Sequence, residues 1–431
     1  MRRLLVSWSL AALALVVAAV APGVASAVTY APVDRPGPAF DVSQAALDAS
    51  LSCSPGVDNA ARAPVLLVPG TGATPVDNYS WNYEPQFKAL GIPWCAVTLP
   101  QHANGDIQVA GEYVANAIRT LHRRAGRRIA IIGHSQGGMV PRWALRFWPD
   151  TRAMVDDMIG FAPTNHGTAV AGLACGSGCS AADWQQSNKS NFIKALNSYQ
   201  ETFPGISYTD VYTHFDEEVQ PNSDSSGTSS LHGGGGQIAN IAVQDVCPTD
   251  VVEHLGIGTY DNVAYNIAID ALDHPGPADP QRIPATVCLT PLMPGVSPIT
   301  GPGAGLQALI DDETSPSTKL PAEPPLACYV MASCPAAVQP AKGVGGSRRR
   351  CSRPHGLFVR LPVPRHSRIV RAVVKIDGRV ARRVHGRRLV RIGLPVLHAG
   401  RHRVRVLMTT SGGRRVVVTR RYLVCGLAKL A

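Results

Sequence analysis

The stretch IAIIGHSQGGMVPRWAL, running from Ile129 to Leu145, holds three kinds of residue in succession. Ile129 to Ile132 suit a buried strand, Gly133 to Gly137 suit a sharp turn, and the remainder has helical composition. A Gly-x-Ser-x-Gly turn between a strand and a helix is tight enough that only glycines avoid clashes at its flanks. It also lifts the central serine above the carboxyl edge of a sheet, beside a helix N-terminus. Ser135 is therefore the candidate nucleophile.

On either side of this stretch, short apolar runs alternate with longer amphipathic ones. "APVLLVPG", "WCAVTLP" and "IAIIGHS" read as buried strands ending in turns. "QVAGEYVANAIRTLHRRAG" sets Val109, Tyr113, Ile118 and Leu121 mostly on one helical face and stops at a glycine. Further on, "VDDMIGFAP", "YTDVYTHFDEEVQP" and "GQIANIAVQDVC" each hold a strand, and "TYDNVAYNIAIDAL" a closing helix. Strand and helix alternation predicts an α/β fold, a mainly parallel sheet with helices on both faces.

Acyl transfer at a serine needs a base for its proton and donors aimed at the developing oxyanion. In the α/β-hydrolase order the acid follows a late strand and the histidine comes last. Asp216, after "DVYTHF", and His254, before the closing helix, meet that order. Asp210, Asp224 and Asp245 are rivals for the acid, and His214 and His232 for the base. Oxyanion donors are expected from the amide of Gln136 and from Thr71, in the glycine turn "LLVPGTG".

The chain has 431 residues, 45% of them hydrophobic, enough for one large core and a second domain. Residues 1–27 place Arg2 and Arg3 before an apolar run that closes on Ala25-Ser26-Ala27, the pattern of a cleaved signal peptide. A secreted or extracellular protein, held at the cell envelope or free, is the expectation. The ten cysteines fit an oxidising compartment. Their order suggests Cys53 with Cys95, Cys175 with Cys179, Cys247 with Cys288, Cys328 with Cys334, and Cys351 with Cys425. No Cys-x-x-Cys pair accompanies them, and no metal is expected.

Charge divides the chain. Residues 341–431 hold 24 lysines and arginines against one acid, Asp377, a net +23, while the rest holds 17 basic residues against 29 acids, a net −12. Prolines and glycines accumulate between Cys288 and Ser347, with a weakly helical piece at "GLQALIDDE". The period beyond them changes to two, with hairpin turns at Asp377-Gly378 and Ser411-Gly412-Gly413. This predicts a catalytic domain over 28–288, a wrapping segment and linker over 289–347, and a small basic, immunoglobulin-like β-sandwich over 348–431. Base-stacking aromatics are nearly absent from the basic part, so anionic envelope polymers or lipid surfaces are the expected partners and nucleic acid is not.

Several segments together resemble the Candida antarctica lipase B-like α/β-hydrolases: "LLVPGTG", Ser135 to Gly138, "FAP" at 161–163, "WQQ" at 184–186 and "DEEVQP" at 216–221. The resemblance spans roughly Leu47 to Cys288. It implies an α/β-hydrolase fold, with triacylglycerol or shorter carboxylic esters cleaved by a catalytic Ser135, Asp216 and His254. Thr71 and Gln136 would serve the oxyanion, and no cofactor is implied. Substrate-pocket positions are His134, where the family has a tryptophan, Thr164, where it has an aspartate, Gln186, and Glu218 in place of an aliphatic residue. The Cys175–Cys179 loop falls where the family carries a cover over the site. A monomer is expected. An acyltransferase or polyester depolymerase could use the same triad, and a catalytically inactive surface-binding protein is the reading outside enzymes.

Overall fold

The computed structural model describes residues 29–299, 317–333, 357–361, 368–386, 389–395, 400–412 and 415–424. The signal-peptide reading of 1–27, the helical reading of "GLQALIDDE", and Cys334, Cys351 and Cys425 lie outside them. The chain divides into two compact units, Met1–Pro335 and Ala336–Ala431.

The first unit is built on a seven-stranded sheet: β1 (Leu51–Cys53), β2 (Val65–Val68), β3 (Trp94–Val97), β4 (Ile129–His134), β5 (Val155–Phe161), β6 (Ser207–Tyr212) and β7 (Gln237–Ala242). Its order is β1-β3-β2-β4-β5-β6-β7, with β1 antiparallel to β3 and every other pairing parallel. All six residues of β4 are buried, as expected of a central strand covered on both faces. Alternate residues serve two separate cores. Leu66, Val68, Ile129 and Ile131 belong to one, and Val65, Leu67, Ala130 and Ile132 to the other. This is the mainly parallel α/β sheet expected from the strand and helix alternation, and the α/β-hydrolase architecture that the resemblance implies.

Capping sets the helix limits. The helix Ile107–Ala125 starts where the Asp106 side chain accepts the Gln108 amide, and stops at Gly126, whose φ of +68° suits a glycine. His122, Arg123 and Arg124 fill its last turn, where the helix dipole favours positive charge. The helix Gln136–Phe147 is buried at every residue, including Arg142 and Arg146. Arg142 is held by the carbonyls of Glu201 and Asn165 and by Asn197 Oδ1 at 2.7 Å.

Among the described residues three disulfides are seen in full within this unit: Cys53–Cys95, Cys175–Cys179 and Cys247–Cys288. The first links directly paired residues of β1 and β3. Cys328 is also disulfide-bonded. Residues 317–333 wrap back over the unit. Leu320 bridges to Cys179, Met331 bridges to Tyr30, and the Ala327 amide donates to Gln108 Oε1 at 2.6 Å. Tyr329 enters the core, where its hydroxyl accepts the Trp143 indole N–H at 3.0 Å and its ring lies 5.5 Å from Phe147 and 5.4 Å from Trp148.

The second unit contains a four-stranded antiparallel sheet, β10-β9-β12-β13, and a two-stranded pair, β11-β8. The strands are β8 (Phe358–Arg360), β9 (Ile369–Ile376), β10 (Arg379–His385), β11 (Arg391–Gly393), β12 (Gly400–Thr410) and β13 (Arg415–Val424). Alternate residues Ala372, Val374, Val404, Val406 and Met408 are buried with Val359, Leu361 and Ile392 of the smaller sheet. Period two thus yields a small all-β unit with one apolar face covered.

Candidate active site

Every candidate group follows the carboxyl end of a parallel strand: Thr71 after β2, Ser135 after β4, Thr164 after β5, Asp216 after β6 and His254 after β7. Crossover connections leave this edge of an α/β sheet open to ligands. At Ser135 the backbone takes φ +55° and ψ −124°, a conformation that a non-glycine residue rarely adopts. The turn is closed by the Ser135 amide donating to the Phe161 carbonyl at 2.8 Å and by the Gly138 amide donating to Ser135 O at 2.9 Å. A Cβ on Gly133 would lie 2.0 Å from the Gly137 carbonyl oxygen, and one on Gly137 would lie 2.1 Å from that of Val68. Both glycines are therefore required by backbone atoms that cannot swing aside.

Asp216 and His254 meet through Nδ1 and Oδ2 at 3.0 Å, with the carboxylate fully buried. The other carboxylate oxygen accepts the amides of Glu218 (3.0 Å) and Val219 (2.7 Å), which fixes its orientation. Burial disfavours the His254 imidazolium, but the charge and hydrogen bond of Asp216, with Glu217 and Glu218 behind it, outweigh burial and raise its pKa. Glu217 also accepts the His254 amide at 3.2 Å.

Thr71 is the convergence point of two polar side chains. Its hydroxyl oxygen accepts N–H groups from Gln136 and from Gln186, each at 2.9 Å. Gln186 is oriented in turn by Thr164, whose hydroxyl donates to Oε1 at 3.0 Å, and Gln136 by the Ala103 carbonyl at 2.9 Å. A hydroxyl has two acceptor positions and one proton. With both positions filled, the proton of Thr71 is its remaining hydrogen-bonding function. Gln136 opens its helix, so no intrahelical carbonyl can take its amide N–H.

His134 is fully buried. Its Nε2–H donates to the His254 carbonyl at 2.9 Å, and its ring centre lies 5.0 Å from that of His254. Burial, then the nearby His254, push its pKa down to about 3, so the ring is neutral. It lines the cavity and also supports the loop that carries His254. A Cβ on Gly258 would fall 2.1 Å from this ring.

These residues surround one cavity of about 470 Å³, which Ser135, Thr71, His134, Thr164, Gln186, Glu218 and His254 all line. Its wall also carries Asp77, Asp183 and Glu217, and apolar atoms come from Val170, Ala171, Val219 and Leu255. Val170 and Ala171 belong to the short helix Ala169–Ala174, just before the Cys175–Cys179 disulfide. Cys179 and Trp184 both bond to Leu320, so this cover is stapled to the wrapping segment.

The rivals lie elsewhere. Asp210 is buried against Asn165, and burial raises its pKa to about 8. Asp224 binds Ser226 in an exposed turn, and Asp245 caps a helical turn at Ala242. The His214 ring lies tilted against Tyr212 with centres 5.9 Å apart, and His232 stacks on His166. One supporting residue carries no sequence signal. Asn78 accepts the Gly70 amide at 3.0 Å and donates to the Gly258 carbonyl at 3.5 Å, joining the Thr71 turn to the His254 loop. No group of metal-ligating side chains occurs among the described residues.

Residues 65–221 match the model of the alpha/beta hydrolase family. Lipase B of Pseudozyma antarctica is 35% identical over 222 residues, covering 51% of this chain and 64% of that protein, so the match stops short of that relative's full length. The crystal structure of Aspergillus fumigatus lipase B superposes with a TM-score of 0.64 at 32% identity, covering 69% of this chain and 75% of that one.

Proposed function

This chain belongs to the lipase B family of α/β-hydrolases, and from that premise we propose that it hydrolyses carboxylic esters through an acyl-enzyme on Ser135. The supporting observation is the convergence, in one cavity, of the elbow serine, the Asp216–His254 pair and a Thr71 hydroxyl whose acceptor positions are both filled. In the first half-reaction His254 Nε2 takes the Ser135 proton as Oγ attacks the ester carbonyl. The oxyanion that forms receives the Gln136 amide and the Thr71 hydroxyl. Collapse breaks the bond to the alcohol oxygen, which leaves with the proton from His254. Water then attacks the acyl-enzyme with His254 as base again, releasing the carboxylic acid and restoring Ser135. Asp216 keeps the imidazole in the tautomer with Nε2 free.

The cavity wall favours polar or short acyl esters. Carboxylates of Asp77, Asp183, Glu217 and Glu218 border it, and burying a long alkyl chain against them would strip their hydration without compensation. The disulfides fit an exported enzyme, and the +23 of residues 341–431 would draw it to anionic surfaces.

A p-nitrophenyl ester chain-length series tests the reading. Wild type should turn over short chains best, Ser135→Ala should be silent, and Thr71→Val should lose roughly 10²-fold in kcat with little change in KM. Equal rates for wild type and Ser135→Ala would overturn the catalytic reading, leaving the surface-binding alternative.

A further inference from the structure

We propose that, in the second unit, the face of the four-stranded sheet opposite its apolar core docks onto an anionic lipid bilayer. This deepens the attraction to anionic surfaces suggested above, and it rests on the ester-hydrolase reading for its purpose, holding the enzyme at an envelope surface. Strand register arranges this face in rows. One row runs Thr419, Arg405, Lys375, Val380 across β13, β12, β9 and β10, and the next runs Val417, Leu407, Val373, Arg383. A third places Thr409, Arg371 and His385 side by side. An aliphatic row is thus flanked by cations on both sides and ended by Arg383. Arg371, Arg383, Arg403 and Arg405 are exposed, as is Val417 at 46%.

Two features of this face call for an anionic partner. Arg405 and Lys375 are directly paired across β12 and β9, and like charges so placed destabilise a sheet. The only acid in residues 341–431 is Asp377, and it is occupied in the hairpin turn, where it accepts from the His402 ring at 2.7 Å and the Arg403 amide at 2.8 Å. The arginines of the face therefore have no carboxylate left within residues 341–431.

The layout selects a bilayer among anions. Side chains on such a face repeat about every 5 Å across strands and about 7 Å along them, a flat array suited to many headgroup phosphates at once. A soluble polyanion would pair with the arginines and leave Val373, Leu407 and Val417 in water, whereas a bilayer covers both. The face carries no aromatic ring for bases to stack on. Attraction to an anionic leaflet accumulates with each basic residue near its surface and fades within a Debye length.

Co-sedimentation of the full chain with phosphatidylcholine vesicles, with and without phosphatidylglycerol, tests this. Binding should require phosphatidylglycerol and weaken steeply with added salt. Arg403→Glu with Arg405→Glu should weaken it on the order of 10²- to 10³-fold, while Arg403→Lys with Arg405→Lys should bind like wild type. Val417→Ser should lose about 3- to 5-fold. If the glutamate pair does not fold by circular dichroism, Arg403→Gln with Arg405→Gln carries the test. Equal binding to pure phosphatidylcholine, undiminished binding by the charge-altered variants, or capture by soluble polyphosphate without vesicle binding would each overturn the proposal. Soluble-ester turnover separates the two readings: wild type that binds vesicles but cleaves no ester would remove the hydrolase and leave the docking face standing.

Discussion

At the scale of single residues, the carboxylates near His254 would set when it could act as the proposed base. Its pKa is raised by Asp216, Glu217 and Glu218 against the effect of burial, and a base must be unprotonated to accept the Ser135 proton. Activity is therefore lost as pH falls through that raised value, on an acid limb above the ordinary histidine pKa of about 6.5. Glu218→Gln removes one negative charge, so the limb in kcat/KM should move to lower pH by a few tenths of a unit; a stationary limb would show that Glu218 does not act on His254. That Ser135 and the Asp216–His254 pair would meet at one cavity was legible in the sequence, because motif and chain order constrain where each falls. The neutral His134 was legible as a position before the nucleophile but not as a support for the His254 loop, since its partner is a backbone carbonyl 120 residues away.

At the scale of elements, alternation and a glycine stop made the strands and the long helix readable, and turn residues with period two made the hairpins readable. The helix after Ser135 was readable as a helix but not as a fully buried one. Arg142 and Arg146 both lie inside, because loops from distant parts of the chain present carbonyls to them. Periodicity carries no information about such acceptors. Arg142→Met keeps the bulk but leaves Asn197 and the Glu201 and Asn165 carbonyls without their donor. It should cost about 3 kcal/mol in urea unfolding, with kcat falling as the elbow loosens.

At the scale of the whole molecule, the disulfides fit an oxidising compartment. Cys53–Cys95 closes a separation of 42 residues, and losing such a closure costs about 4 kcal/mol in the chain-entropy account. Cys53→Ala with Cys95→Ala should lower Tm by about 10 °C, measured by circular dichroism. Division into two units of opposite charge was readable from composition alone. The return of residues 317–333 to the first unit was not, because a proline-rich segment gives no sign of which surface it will follow. That return has a consequence for synthesis. Tyr329 completes the aromatic seat of the helix that carries Ser135, and it follows Trp143 by 186 residues. At ribosomal speed it emerges roughly 10–40 s later. For that interval the helix after Ser135 lacks part of its aromatic support, so its packing is completed only after residues 317–333 have been made.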